Sequence, residues 1–202
     1  MNLPALILSF SLLLVAMTLH EFAHAWAAYK FGDQTARLSG RLTLNPLAHI
    51  DPVGTVIIPL LFFFSTGGRF VFGAAKPVPI NYGMLKNPAR DVVFIGASGP
   101  LVNIAAACAS AAVIRLVPQG TLLSLLLAHF LMINLVLGIF NLIPLPPLDG
   151  SRVLAGFLPP AAAAGYAKIE PYGFIIIILL SMAGAFDYVI WPLVRFIAGL
   201  LI

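Results

Sequence analysis

Two histidines four residues apart, with a glutamate directly after the first, form the run His20-Glu21-Phe22-Ala23-His24. The run lies in a segment that is otherwise uncharged from residue 1 to residue 29. On an α-helix, residues i and i+4 share a face, so both imidazoles reach one metal ion while Glu21 stands beside them as a general base. Nitrogen ligands with an adjacent carboxylate are the donor chemistry of a hydrolytic zinc ion. Ionisable groups in an apolar stretch of membrane length are costly, and a functional role is therefore their default reading. The alternative, an accidental polar patch on a helix face, carries that cost with nothing to offset it.

Two histidines leave a catalytic zinc one protein ligand short, with water in the open position. The carboxylates available are Asp33, Asp51, Asp91, Asp149, Glu170 and Asp187. Asp149 is the best placed. It ends the run Asn141-Leu142-Ile143-Pro144-Leu145-Pro146-Pro147-Leu148-Asp149-Gly150, which follows a long apolar segment. Proline stops a helix, and irregular backbone at membrane depth belongs where it lines a protein cavity. Gly150 permits a tight turn, and a lone Asp-Gly pair would otherwise read as a surface turn.

The elements that must position these groups are read from apolar run lengths. Hydrophobic residues make up 61% of the 202-residue chain and charged residues only 9%. A soluble domain carries about a quarter charged residues, so lipid is the solvent here. The expected fold is an all-α integral membrane protein, a polytopic helical bundle forming a single membrane-embedded domain over 1–202. Core spans are expected at 5–29, 92–117 and 121–143, with further apolar segments at 172–186 and 188–202. Residues 53–64 are too short and too interrupted, by Gly54 and Pro59, to cross comfortably, and are expected to be re-entrant. Residues 37–44 alternate around Gly40 and predict a short β-hairpin-like loop. Residues 65–90 and 144–171 read as loops. The first span lacks a basic leader and carries the His motif, and so reads as retained rather than cleaved.

Topology constrains the pairing independently. His20 and His24 lie near the C-terminal end of the first span, and Asp149 lies just beyond the end of 121–143. To share a metal, those ends must face the same side, so 53–64 must not cross. Loops at 30–51, 65–91 and 144–171 then share that side and hold nine of the eleven basic residues. The positive-inside rule places this side in the cytoplasm of a multi-pass cell-membrane protein. The net charge of +4 reads as topology and not as affinity for nucleic acid. The single Cys108 excludes a disulfide framework and reads as a small packing residue in an Ala-rich run.

The two end motifs, in this order, resemble the site-2 protease family of intramembrane zinc metalloproteases, peptidase family M50. Gly99-Pro100-Leu101-Val102-Asn103 is similar to that family's central helix motif. Asn45-Pro46-Leu47-Ala48-His49-Ile50-Asp51-Pro52-Val53-Gly54 and Ala75-Lys76-Pro77-Val78-Pro79 resemble its compact subgroup, which lacks PDZ and CBS domains. The resemblance implies that His20, His24 and Asp149 bind one zinc ion per chain and that Glu21 is the catalytic base. It implies that Asn141 holds the substrate backbone or the oxyanion, and Asn103 is a second amide available for that task. Substrates would be transmembrane proteins or peptides cleaved within or near a span.

Other polar residues read more locally. His129 lies mid-span, to line a cavity or to hydrogen-bond across helices. His49 and Asp51 flank a turn and read as local hydrogen-bonding groups. Asn134 and Asn103 are buried amides suited to interhelical hydrogen bonds, with a substrate-facing role open for Asn103. Trp26 and Tyr29 fit an interfacial aromatic belt. Two other functions compete: a zinc or proton transporter using the same His/Asp cluster as an ion path, and a non-catalytic scaffold. Glu21 within the His pair and the absence of a long-period repeat argue against the transporter.

Overall fold

Residues 5–30 contain neither glycine nor proline, so nothing interrupts the backbone ladder. Leu3–Lys30 accordingly folds as one 28-residue helix, α1. At about 1.5 Å per residue it exceeds the roughly 30 Å of bilayer hydrocarbon. Its C-terminal end carries the aromatic residues expected of an interface. Lys30 Nζ lies 5.3 Å from the Trp26 ring and Arg37 Cζ 5.3 Å from the Tyr29 ring.

The computed structural model describes residues 3–57 and 75–202. Beyond α1 the α-helices among the described residues are α2 (Thr35–Leu38), α3 (Pro88–Ile114), α4 (Leu122–Asn141), α5 (Asp149–Phe157), α6 (Pro160–Ala167), α7 (Glu170–Met182) and α8 (Trp191–Leu201). Three of them, within Pro4–Lys30, Pro88–Ile114 and Leu122–Asn141, are long and apolar enough to cross a membrane. Their starts follow from local chemistry. Pro88 opens α3 where its missing N–H has no helical partner to lose, and the Asp91 carboxylate accepts from the Asn87 N–H at 2.9 Å. Thr121 caps α4 by accepting from the Ser124 N–H at 3.2 Å.

Between helices in lipid, packing depends on small residues and polar contacts rather than on expulsion of water. Ala107 and Ala111 of α3 meet Leu131, Leu135 and Ile139 of α4, with Ile190, Val194 and Ala198 closing the same cluster. Ala27 and Ala28 of α1 meet Leu85 and Ile95. Cys108 is exposed on α3, and the interior of that run is filled by Ala107 and Ala111 instead.

The chain leaves α1 and enters α3 at one end of the bundle. The Lys86 N–H donates to the Phe31 carbonyl at 3.3 Å, and the Asn81 N–H to Asp33 Oδ2 at 2.7 Å. Arg152 Nη1, on α5, donates to the Tyr82 hydroxyl at 3.1 Å, which brings the segment after α4 to the same end.

Three sequence expectations need correction. The hairpin at 37–44 does not form, and no strand occurs among the described residues. Asp33 Oδ1 accepts from Thr35 N and Oγ1, Ser39 Oγ donates back to Thr35 O, and the Arg41 N–H donates to Ala36 O at 2.8 Å. These local bonds satisfy the backbone as a helical turn, and Gly40, at φ 69°, reverses the chain. The re-entrant segment is not supported either: Pro52–Ile57 is a π-helical turn, and 58–64 lie outside the described residues. Residues 149–167, read as part of a loop, hold α5 and α6. Past them, α6 and α7 meet at 63°, and a second π-helical turn, Phe186–Ile190, joins the end of α7 to α8.

Candidate metal centre

His20 and His24 project from one face of α1, as their spacing requires. The first residue of α5, Asp149, meets them there. His20 Nε2 lies 2.9 Å from Asp149 Oδ2, His24 Nε2 lies 3.2 Å from the same oxygen, and the two Nε2 atoms are 3.0 Å apart. Among the described residues this is the group of histidines and carboxylates close enough to hold a metal, its ligand atoms all within 4.8 Å of one another. Asp33, Asp51, Asp91, Glu170 and Asp187 do not join it. Both histidines are buried, at 6% exposure each.

The outer ring atoms reveal what the inner ones offer. His24 Nδ1 lies 2.7 Å from the Ile95 carbonyl, with Ser98 Oγ 3.3 Å away. A carbonyl only accepts, so Nδ1 carries the proton and Nε2 presents a lone pair. His20 Nδ1 lies 2.6 Å from Asn103 Oδ1, with the same consequence. Two bare nitrogens and a carboxylate oxygen thus converge with no donor among them. That is an electron-rich pocket requiring a cation, and two nitrogens with one oxygen suit zinc. With protons in place of a metal, burial disfavours the Asp149 charge, but hydrogen bonds from His20 and His24 outweigh it and hold the carboxyl well below the usual carboxylate range.

Helix α3 makes room for this cluster by leaving side chains out. A Cβ at Gly99 would overlap Nε2 of both His20 and His24, and a Cβ at Gly96 would meet Asp149 O at 3.1 Å and Arg152 Cβ at 3.0 Å. The two glycines, three residues apart, share a helix face and admit α1 and α5 to the same stretch of α3.

Glu21 does not ligate the cluster. Its Oε2 accepts from the Val78 N–H at 2.9 Å, within the Ala75–Pro79 motif. Asn103 departs from the substrate-facing option. It is fully buried, with Oδ1 on His20 and Nδ2 donating to Ala16 O at 3.1 Å and Asn134 Oδ1 at 2.8 Å. Every polar atom of that amide is engaged, and none is left for an oxyanion. Asn141, the last residue of α4, is partly exposed, and its Nδ2 donates to Leu137 O at 3.0 Å. His129 bonds across helices, its Nε2 2.9 Å from Ser9 Oγ. His49 and Asp51 act locally, His49 Nε2 on Thr43 O at 2.9 Å and Asp51 Oδ2 on the Gly54 N–H at 2.6 Å.

Sequence reading did not find the Ile95 carbonyl, Ser98 or the Val78 amide, because backbone groups and a common hydroxyl carry no pattern of their own. The Gly96/Gly99/Asn103 face was the available signal: at helical spacing it marks two close approaches with an amide beside them.

Residues 116–184 match the family model described as Peptidase family M50. Over 192 residues the chain is 38% identical to the putative zinc metalloprotease YwhC of Bacillus subtilis, covering 91% of this chain and 84% of that protein. It is 32% identical over 172 residues to Rip2 of Mycobacterium tuberculosis, named likewise, covering 84% of this chain and 64% of that protein. Zinc metalloprotease MJ0392 of Methanocaldococcus jannaschii is 29% identical over 163 residues, 79% of this chain and 36% of that protein. No solved structure gives a significant match.

Proposed function

The chain belongs to peptidase family M50, the site-2 protease family of zinc metalloproteases, and from that premise we propose that it is an intramembrane endopeptidase. In this reading it hydrolyses peptide bonds within or near the spans of membrane-protein substrates, as a single domain over 1–202 with one zinc ion per chain. The observation that carries the reading is the convergence of His20 Nε2, His24 Nε2 and Asp149 Oδ2 within 2.9–3.2 Å, on the helix that bears Glu21.

His20, His24 and Asp149 would hold the metal. Zinc bound there supplies a Lewis acid that polarises a carbonyl and makes water more acidic. Glu21 takes the proton of the attacking water and returns it to the leaving amine. Its Oε2 is fixed by the Val78 N–H, which orients the carboxylate and leaves the other oxygen for that transfer. Asn141, the partly exposed last residue of α4, would bind the substrate backbone or the developing oxyanion. A substrate helix has its carbonyls bonded internally, so it must unwind locally before its bond is attacked.

Charge supports the orientation. Lys30, Arg37, Arg41, Lys76, Lys86, Arg90 and Arg152 flank the metal-bearing end of the chain's spans, and Arg115 follows the opposite end of α3. By the positive-inside rule the site faces the cytoplasm and the protein sits in the cell membrane.

The test is Glu21→Gln. Gln nearly preserves shape and leaves the three ligands in place, so fold and zinc content should persist. Removal of the general base should slow cleavage of a single-span reporter in liposomes by about 10²–10⁴-fold. Near wild-type turnover in this variant would overturn the assignment of Glu21, and zinc-independent turnover would overturn the metalloprotease mechanism.

A further inference from the structure

His20 binds a metal through Nε2 only in the tautomer that protonates Nδ1, and among the described residues Nδ1 has one partner, Asn103 Oδ1 at 2.6 Å. An amide presents either an oxygen or an NH₂ to its neighbour, and the wrong choice would put two donors face to face. What decides the choice is on the far side of Asn103. Its Nδ2 has two acceptors, Ala16 O at 3.1 Å and Asn134 Oδ1 at 2.8 Å. Asn134 is itself oriented: its Nδ2 donates to Phe130 O at 2.9 Å, a carbonyl one turn earlier on α4. Phe130 O cannot donate, so the nitrogen of Asn134 faces it and the oxygen faces Asn103. Asn103 then turns its nitrogen to α4 and its oxygen to His20. Ala16 O, which helix geometry pairs with the His20 amide, ties the same relay to the turn that carries the ligand. Asn103 and Asn134 are both at 0% exposure, out of reach of water that would otherwise satisfy either orientation.

We propose that Asn134, which touches neither ligand nor substrate, is a positioning residue that fixes the metal-binding tautomer of His20 through Asn103. The relay runs Phe130 O, Asn134, Asn103, His20 and couples α4 to a ligand on α1. Without Asn134, one N–H of Asn103 is buried without an acceptor. Only Ala16 O then holds the nitrogen of that amide, so its oxygen is directed less firmly at Nδ1 of His20 and the metal-binding tautomer is less well fixed. The inference rests on His20 being a zinc ligand.

The experiment measures the zinc dissociation constant of purified full-length protein in detergent, by competition with a chelating dye, with zinc alone as the probe. Asn103→Leu should weaken zinc by about 10–100-fold, the range for partners of metal-bound histidines, and Asn134→Leu by about 10-fold, its lower end. Asn134→Asp should restore wild-type affinity, because a buried, protonated carboxyl accepts from Asn103 and donates to Phe130 O as the amide does. In the Asn103→Leu background, Asn134→Leu should add nothing, because the relay is already cut. A purely structural Asn134 would instead give multiplying effects and no rescue by Asp, and that result overturns the proposal. His20→Ala separates the two levels. If it loses zinc while Asn134→Leu keeps wild-type affinity, only the relay falls. If it binds zinc as the wild type does, the ligand assignment falls first.

Discussion

Gly99→Ala is the smallest change that tests how α3 holds the metal centre. The added Cβ would lie 2.6 Å from His20 Nε2 and 2.7 Å from His20 Cε1, and it would overlap His24 Nε2 as well. Ordinary contact begins at 3.4 Å, so the His20 ring must retreat by about 0.8 Å, whereas metal–ligand distances tolerate roughly 0.2 Å. The alternative is for α3 to move away from α1, which strains a packed interface by about 1–3 kcal/mol. Either way the three ligand atoms lose their common centre. Zinc affinity should fall by about 100-fold or more, the upper end of the effect of disturbing a ligand's support. The measurement is zinc competition on detergent-purified protein, with thermal unfolding followed by circular dichroism as the fold control. Gly199→Ala on α8 is the matched control, since its Cβ meets nothing within 4 Å. It should leave zinc unchanged and stabilise the helix by about 0.5–1 kcal/mol. Wild-type zinc affinity in Gly99→Ala would refute the reasoning, because the imidazoles would then not stand against Gly99.

Two further outcomes follow from the same geometry. Asp149→Asn keeps the shape of the side chain but removes the only negative charge among the three candidate ligands, so zinc should be weakened, and His24→Ala should weaken it too; unchanged metal stoichiometry in both would remove the assignment. Cysteines placed at Lys30, Lys86 and Lys168 in a Cys108→Ser background should react alike with an impermeant thiol reagent, and opposite labelling of Lys86 and Lys168 would contradict the shared side of the loops.

The parts of the fold that were legible in the sequence share a cause. Where an apolar run exceeds a bilayer's thickness, the backbone must bond to itself as a helix, which is why α1, α3 and α4 fall on the expected spans with ends shifted by a few residues. His20 and His24 were legible because helical spacing alone puts them on one face. The 37–44 segment misled because alternation is also compatible with a short helical turn, and Asp33, Thr35 and Ser39 supply side-chain bonds that favour the turn. Helices α5 and α6 were hidden by their flanks. Prolines at 144, 146, 147, 159 and 160 read as loop, although Pro160 stands where a helix tolerates it, at the start of α6. The direction of Asn103 was not legible at all. An amide on a helix face shows neither which neighbour it meets nor which end it offers, and both were set by how α1 and α4 pack around it.

Helix α3 explains why candidate ligands from opposite ends of the chain can share a centre. One face of it, in order, offers the Ile95 carbonyl to His24, absent side chains at Gly96 and Gly99 to α5 and α1, and the Asn103 amide to His20. Close approach and polar support have to coincide, because an imidazole admitted without a partner for Nδ1 would be a buried, unsatisfied group at membrane depth. A carbonyl suits His24, since it fixes the tautomer with no choice to make. An amide at His20 is reversible in principle, and the Ala16 carbonyl and the second amide on α4 together hold it. The two histidines of α1 are therefore supported by different means. Substitutions on α4 should disturb the zinc through His20, and substitutions near Ser98 through His24.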